Sequence, residues 1–454
     1  MCIRDRISVL GEGPIHYWLG GWPPPWGIEY RVDHLNAIML VLVSTLGTLV
    51  AVYSLKSVQQ ELPGKAALFW CLFLLFITGL LGICITADLF NLFVLLEVAS
   101  LSGYALIAMG EKRSVYASFR YVIMGTMGAS FYLLGVGYLY IATGSLNMAD
   151  LSQLLPKLIQ SKAILAGFAF ILIGLGIKMA LFPMHGWLPD AYTYAPSAVS
   201  AAIAPMMTKV MAYVLIRVMF TVFKAEFPVS ILRVTDLMVW FGTLAILLGA
   251  VMALSQSDFK RMLSYVIVAE IGYIVGGIGV ANATAMQGAI FHIVNDAVMM
   301  ACLFLVAGLI MYRTDGHQID DFKGIFKTMP LTATVFTVGA LAVIGVPPTC
   351  GFFSKWYLLL GGIEAQQWGF VTALLVCTLI NVALFFRVFD KGLYVHSHSK
   401  VHATAEASKN PHAVEAPLSM LLPAIILALI ILLVGIFNQF IVTNVIHFAI
   451  PVGL

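Results

Sequence analysis

Residues 176–210 read GIKMALFPMHGWLPDAYTYAPSAVSAAIAPMMTKV, and the order of their parts decides the kind of molecule. An apolar run carries Lys178 and is interrupted by Pro183 and Pro189; a second apolar run follows at once and carries Lys209. Proline removes a backbone donor and clashes with the preceding turn, so the first run is a helix broken along its length. Unwound backbone within a bilayer is tolerated only where protein or water satisfies its polar groups. An ionisable side chain at the bilayer centre costs on the order of 3 kcal/mol and requires a partner or a function. A stretch that combines both features points to a site.

The rest of the chain supplies the bilayer. Of 454 residues, 61% are hydrophobic and 10% charged, with a mean hydropathy of +0.96, too little polar surface to coat a water-soluble globule. Apolar runs of about 20 residues, the length that crosses the hydrocarbon, recur throughout. We read an all-α polytopic membrane protein with twelve spans, near 34–55, 66–86, 89–110, 116–143, 163–182, 196–222, 236–254, 262–281, 284–312, 330–362, 368–390 and 418–448. The tenth is broken like the fifth, by Gly345, Pro347, Pro348 and Gly351 in VIGVPPTCGFFSKW. The net charge of +3 is small and scattered, which argues against nucleic acid. The six cysteines have no ligand spacing, so no disulfide or iron–sulfur site is expected. Met1–Arg6, MCIRDR, resembles neither a signal peptide nor a first helix and suggests a truncated or mis-started terminus.

The two breaks stand five spans apart, and matched acids precede them. Asp88 opens and Glu97 lies within ADLFNLFVLLEVASLSGYAL, while Asp258 opens and Glu270 lies within SDFKRMLSYVIVAEIGYIVGG. Five crossings is an odd number, so successive units have opposite orientations, which is the trace of an inverted repeat. The expected division is 1–33 as an N-terminal extracytoplasmic segment and 34–65 as a first helix and loop. Residues 66–235 and 236–395 form the two five-helix repeats, followed by a loop at 396–417 and a last helix at 418–454. Alternating loops put thirteen lysines and arginines, among them Lys56, Lys260, Arg261 and Lys391, on one side. Only Arg31, Lys157, Lys162, Lys224 and Arg233 fall on the other, which orients the first group to the cytoplasm. The loop histidines His396, His398, His402 and His412 fit no tight metal site, and a solvated loop is the preferred reading.

The intramembrane charges are few: Glu97, Lys178, Lys209, Glu270 and Lys355, joined on the ninth span by His292 and Asp296. Desolvation disfavours a charged lysine and an approaching carboxylate restores it, so lysines flanked by acids switch as their neighbours change. In the relay reading Glu97 modulates Lys178, Lys209 carries the proton between the halves, and Lys355 exchanges it with one side. Against it stands permanent ion pairing that fixes helix packing. His292 and Asp296, spaced i,i+4 on one face, fit equally a bridge from Lys209 to Lys355 and a mutual hydrogen bond. For His185 contact with unwound backbone is the plainer role, and Arg120 and Arg217, near span ends, are expected to snorkel.

These segments resemble the antiporter-like membrane subunits shared by respiratory complex I, membrane-bound hydrogenases and Mrp-type cation/proton antiporters. The likeness rests on residues 176–210, SDFKRMLSY, GVPPTCGFFSKW and DLFNLFVLLEV, with GGWPPPWGIEYRVDHLNA most similar to the D-type Mrp subunit. It covers about residues 20–450. It implies a fourteen-helix fold of which these spans are the third to fourteenth, and proton-channel roles for Glu97, Lys178, Lys209 and Lys355. Two positions depart from the pattern: Met300 stands where many relatives have lysine, and Glu270 where they more often have Gln or His.

The expected function is a proton-translocating subunit of an Mrp-type sodium/proton antiporter in a bacterial or archaeal cytoplasmic membrane. The alternatives are the equivalent subunit of a complex I-like oxidoreductase or energy-converting hydrogenase, and an inert scaffold. Partners would be other membrane subunits, protons and the lipid bilayer; passage of sodium is left open, because no cation-coordinating oxygen cluster is evident. No Walker loop, dinucleotide fingerprint or metal cluster appears, so no cofactor and no redox or hydrolytic site is expected in this chain.

Overall fold

The computed structural model describes residues 13–110, 112–314, 316–393 and 415–454. The terminal stub and the four loop histidines lie outside them. A hairpin of β1 (Ile15–Trp18) and β2 (Glu29–Val32) precedes the helices. The helices of seven residues or more in the first part are α1 (His34–Glu61), α2 (Ala66–Ile85), α3 (Leu89–Ala108), α4 (Lys112–Thr143), α5 (Met148–Leu154), α6 (Lys162–Lys178), α7 (Leu188–Tyr194) and α8 (Ser197–Ile216). They continue with α9 (Val234–Leu254), α10 (Phe259–Val280), α11 (Ala283–Thr314), α12 (Pro330–Ile344), α13 (Cys350–Glu364), α14 (Trp368–Leu393) and α15 (Leu418–Ile436).

Among the described residues ten helices are long and apolar enough to cross a bilayer, and together with the two broken ones they account for the twelve expected spans. The breaks differ in detail from their sequence reading. In the first, α6 ends at Lys178 and the chain turns at Ala180, whose φ of 59° is left-handed, before Pro183 is reached. Pro189 interrupts nothing: it lies in the first turn of α7, where a missing N–H is no loss. In the second, Gly345 ends α12 with a φ of +91°, a conformation that suits glycine, and Pro347 and Pro348 occupy the turn before α13. The last span is interrupted at Phe437, where the Asn438 side chain donates to the Gly435 carbonyl at 2.9 Å, and helical turns then continue through Asn438–Ile441, Val442–Ile446 and His447–Ala449.

Both halves of the chain repeat one local device. Asp88 caps α3 by accepting from Asn91 N at 2.7 Å, and Asp258 caps α10 by accepting from Arg261 N at 3.0 Å. Beside each cap two backbone bonds fasten a later loop: Leu89 N to Leu146 O and Met148 N to Ala87 O in the first half, Phe259 N to His317 O and Ile319 N to Ser257 O in the second. The same cap, long helix and broken helix therefore follow in the same order twice. An odd number of crossings separates them, so they point opposite ways.

Burial sorts the helices by role. Every residue of α8 is buried, and α10 and α11 are buried almost throughout, so these three form the axis of the molecule. Leu74, Phe90, Leu101, Phe119, Leu379 and Phe386 point outward from the surrounding helices, as side chains facing lipid do. Helices that close require small residues: a Cβ on Gly242 would meet the Gly276 backbone at 2.7 Å, where α9 and α10 touch.

Candidate functional site

Three groups of ionisable side chains lie on and around this axis. In the first, Lys178 is fully buried at the end of α6 and donates to Ser100 Oγ at 2.8 Å, Glu97 Oε1 at 3.3 Å and Tyr104 OH at 3.3 Å. An ammonium has three N–H donors, and three acceptors meet them. The Glu97 side chain is 25% exposed, so one member of the pair touches the molecule's exterior while the other does not. Tyr104 packs edge-on against Tyr121, which stacks on Trp187 from the break, and the Trp187 indole donates to Ile177 O at 3.0 Å. The break thus supplies a second donor to a carbonyl at the end of α6 that already accepts from Ala180 N at 3.1 Å.

In the second group, Lys209 Nζ of α8 lies 2.6 Å from Asp296 Oδ2 of α11, both side chains wholly buried. The approach is off the line of a well-formed hydrogen bond, and Asp296 Oδ1 accepts none from the described residues. This is a charge contact with acceptor capacity to spare. Met300, one helical turn further along α11, is fully buried.

The third group centres on Glu270 of α10. Its Oε2 lies 2.6 Å from His292 Nε2 and its Oε1 accepts from Lys355 Nζ at 3.4 Å. His292 Nδ1 lies 2.9 Å from Ser354 Oγ on α13, so the ring spans two helices. Lys355 also donates to Val343 O at 2.5 Å, in the last turn of α12, and sits 4.8 Å over the Tyr273 ring. Of the two readings of the His292 and Asp296 pair, the mutual hydrogen bond is not formed. Each turns to a different partner, His292 to Glu270 and Asp296 to Lys209, because the acid on α10 lies nearer the ring. The groups still feel one another, since Glu270 is in electrostatic reach of Lys209 as well as Lys355, and Asp296 of His292 and Glu270.

One physical rule places these lysines. A helix end carries unpaired carbonyls and a partial negative charge, and a helix cut within the membrane brings that charge to depth. Lys178 is the last residue of α6, and Lys355 donates to the end of α12. Sequence reading missed a third case. Lys260, counted among the cytoplasmic loop charges, is buried and donates to Ala195 O at 2.6 Å, just past the end of α7. The signal it did give was its place in the first turn of a helix, where a cation opposes the dipole unless something else holds it.

Other expectations are corrected. Arg120, whose side chain is part-exposed, also pairs with Asp190 of α7, which receives Arg261 of α10 at 3.3 Å, so one carboxylate joins the two halves at the first break. Arg217 does not snorkel, being buried, paired with Asp33 at 2.5 Å and donating to Tyr213 OH at 3.1 Å. The His185 ring packs on Phe182 and Tyr265, and its Nδ1 has no hydrogen-bond partner among the described residues. No group of three His, Cys, Asp or Glu side chains among the described residues converges to hold a metal.

A helical bundle with an inverted repeat, two broken helices and a buried line of acids and lysines defines a multi-pass membrane protein of the antiporter-like kind. The chain belongs to the family described as NADH:quinone oxidoreductase/Mrp antiporter, TM, which matches residues 86–381. It is 48% identical over 447 residues to the NADH-quinone oxidoreductase subunit N of Desulforudis audaxviator (strain MP104C), covering 98% of this chain and 88% of that one. To the D-type subunit of the Na(+)/H(+) antiporter of Bacillus subtilis (strain 168) it is 29% identical over 418 residues, covering 91% and 84%. A chain in the structure of the Mrp complex from Dietzia sp. DQ12-45-1b superposes with a TM-score of 0.88 at 24% identity, over 99% of this chain and 89% of that chain, a likeness of fold. The chain is accordingly a membrane subunit of the proton-translocating, antiporter-like class.

Proposed function

We propose that this chain relays protons through a cytoplasmic membrane of a bacterium or archaeon, as one subunit of a larger membrane complex. The observation that carries the reading is the succession Glu97–Lys178, Lys209–Asp296 and Glu270–His292–Lys355, carried by α3 and α6, by α8 and α11, and by α10, α11 and α13. Each lysine has an acid whose own charge sets how firmly the lysine holds its proton. A proton lost by Lys178 leaves Glu97 without its cation and favours reprotonation, while a proton moved from Lys209 alters the field at Glu270. His292, held by Glu270 and Ser354, passes the change to Lys355 through the carboxylate. In this reading Lys355 is the terminal group, and the basic loops face the cytoplasm.

Two parent complexes fit. The 48% likeness to an oxidoreductase subunit favours an assembly in which redox chemistry in partner chains drives the relay. The likeness to the D-type antiporter relative favours a sodium/proton antiporter. Purifying the assembled complex separates them: iron–sulfur or flavin-bearing partners support the first, and a set of redox-inactive membrane subunits the second. The relay itself is tested by proton flux into vesicles holding the complex. Lys178→Ala, Glu97→Ala and Lys355→Ala at equal assembly should each lower flux at least tenfold, and undiminished flux in all three removes the proposal.

A further inference from the structure

A second line of polar groups leads away from Lys209, toward the face that carries few basic loops. Lys209, Tyr213 and Arg217 follow at i, i+4 and i+8, so they share one face of α8 and its extension. Tyr213 OH accepts from Arg217 Nε at 3.1 Å and donates to Cys84 O at 3.0 Å. Arg217 in turn pairs with Asp33, the cap of α1, and both residues are only 9% exposed. Beyond the pair lies a cavity of about 850 Å³ that opens to the exterior and whose wall includes Arg31, Lys224 and Glu226. On the inner side is a separate space of about 20 Å³, lined by Asp33, Arg217, Tyr213 and Glu29. That is room for one water, which needs about 10–15 Å³ and several polar partners. The Asp33–Arg217 pair lines both spaces, together with Arg31 and Thr221, and so forms the wall that they share.

We propose that Asp33 and Arg217 form a gate through which the Lys209–Asp296 pair exchanges protons with the aqueous phase on that face. This rests on the relay reading above, and adds to it an exchange point at the centre of the chain, separate from Lys355. The Lys209 ammonium gives up one proton to a water and becomes an amine; that water protonates the Tyr213 oxygen as the hydroxyl turns away from the Cys84 carbonyl and gives its own proton to the water of the small pocket, which passes one on to Asp33. The Asp33 carboxylate accepts it and becomes neutral, which releases Arg217 from its partner. A water in the basin then removes that proton, and the ion pair closes again. Arg217 stays charged throughout.

Other groups around Asp33 favour a closed resting state. Arg31 Nε lies 3.8 Å from Asp33 Oδ2, and the Asp33 carboxylate also accepts from Leu35 N and Asn36 N. Burial pushes the Asp33 carboxyl up, but Arg217, by charge and hydrogen bond, and then Arg31 outweigh it and leave it below the usual carboxylate value. Glu29, the other acid at the small pocket, is engaged by His16 at 2.6 Å and Asn147 at 2.8 Å. Asp33 is thus the carboxylate whose change of charge frees an arginine.

The test uses the assembled complex in sealed vesicles, comparing Tyr213→Phe, Asp33→Asn and Asp33→Glu with Lys178→Ala and Lys209→Ala. The gate predicts at least a tenfold loss of flux in Tyr213→Phe and Asp33→Asn, and recovery in Asp33→Glu with a shifted dependence on the pH of that face alone. A purely structural pair would not move one side's pH profile. Should a gate variant fail to assemble, Thr221→Cys in a Cys71→Ser background gives the answer by the ratio of flux before and after a membrane-impermeant thiol reagent, with the Thr221 parent as control. A drop of tenfold with reagent on that face supports the gate, and an unchanged ratio overturns it. Full flux in Tyr213→Phe and Asp33→Asn overturns the gate and leaves the relay standing if Lys178→Ala and Lys209→Ala abolish transport. Full flux in those two as well removes both.

Discussion

Lys209→Met, which keeps the length of the side chain and removes its charge, leaves the Asp296 carboxylate wholly buried opposite a thioether. Removing one partner of a buried ion pair costs about 3–5 kcal/mol, because the remaining charge is desolvated without compensation. At about 1.4 kcal/mol per decade that is a fall of two to four decades in the folding equilibrium. Asp296 has no described hydrogen-bond donor to soften the loss, which places the expectation toward the upper end. The double variant Lys209→Met/Asp296→Leu removes both charges, and well-packed apolar replacements of buried pairs are often neutral or stabilising. Thermal unfolding of the purified complex should therefore show a marked loss for the single variant and recovery for the double. Proton flux into vesicles should be lost in both, since neither retains an exchangeable group at this position. A double variant that regained stability and also carried protons at the wild-type rate would refute the reasoning and make the pair a packing device.

Glu270→Gln should reduce flux at least tenfold and alter its pH profile, because it removes the negative charge that His292 and Lys355 share while keeping the side chain's shape; flux against pH in vesicles is the measurement. Gly435→Ala should destabilise by about 1–3 kcal/mol and slow transport. Its Cβ would meet Pro348 O at 1.9 Å and displace the turn that carries α13, which thermal unfolding and flux together would register. Asp33→Asn retains a capping side chain, so its effect isolates the charge. The folded carboxyl lies below its ordinary value, so its contribution is present above that value and lost as pH falls through the folded one. Wild type should therefore unfold at a higher temperature than Asp33→Asn at pH 7, with the gap closing below about pH 4.

The spans were legible because lipid leaves the helix few alternatives: apolar length alone located twelve crossings, and Pro–Gly clusters located both breaks. The repeat was legible from the matching caps Asp88 and Asp258, each followed within its helix by an acid, Glu97 and, about one turn further along, Glu270. What could not be read was pairing across helices. Periodicity put His292 and Asp296 on one face of α11, but whether they meet depends on the neighbours that α8 and α10 bring, and these are Lys209 and Glu270. Arg120 and Arg217 looked free to reach water, because Asp190 and Asp33 are distant in sequence and near only after packing. Lys260 was hidden by standing beside Arg261, which made a buried cation look like part of a loop cluster.

The two broken helices have a further consequence for how such a relay can be tuned. A half-helix ending in the membrane holds its partial negative charge whatever the protonation state around it, so Lys178 and Lys355 each rest in a permanent shallow well. The neighbouring acids deepen that well by an amount that depends on their own charge. A fixed term and a variable term thus act on the same proton, and they are encoded in different helices. Exchange of an acid such as Glu270 for a neutral residue would change the order in which sites fill while leaving the lysines where they are. The backbone sets the locations of the stations, and the carboxylates set the timetable.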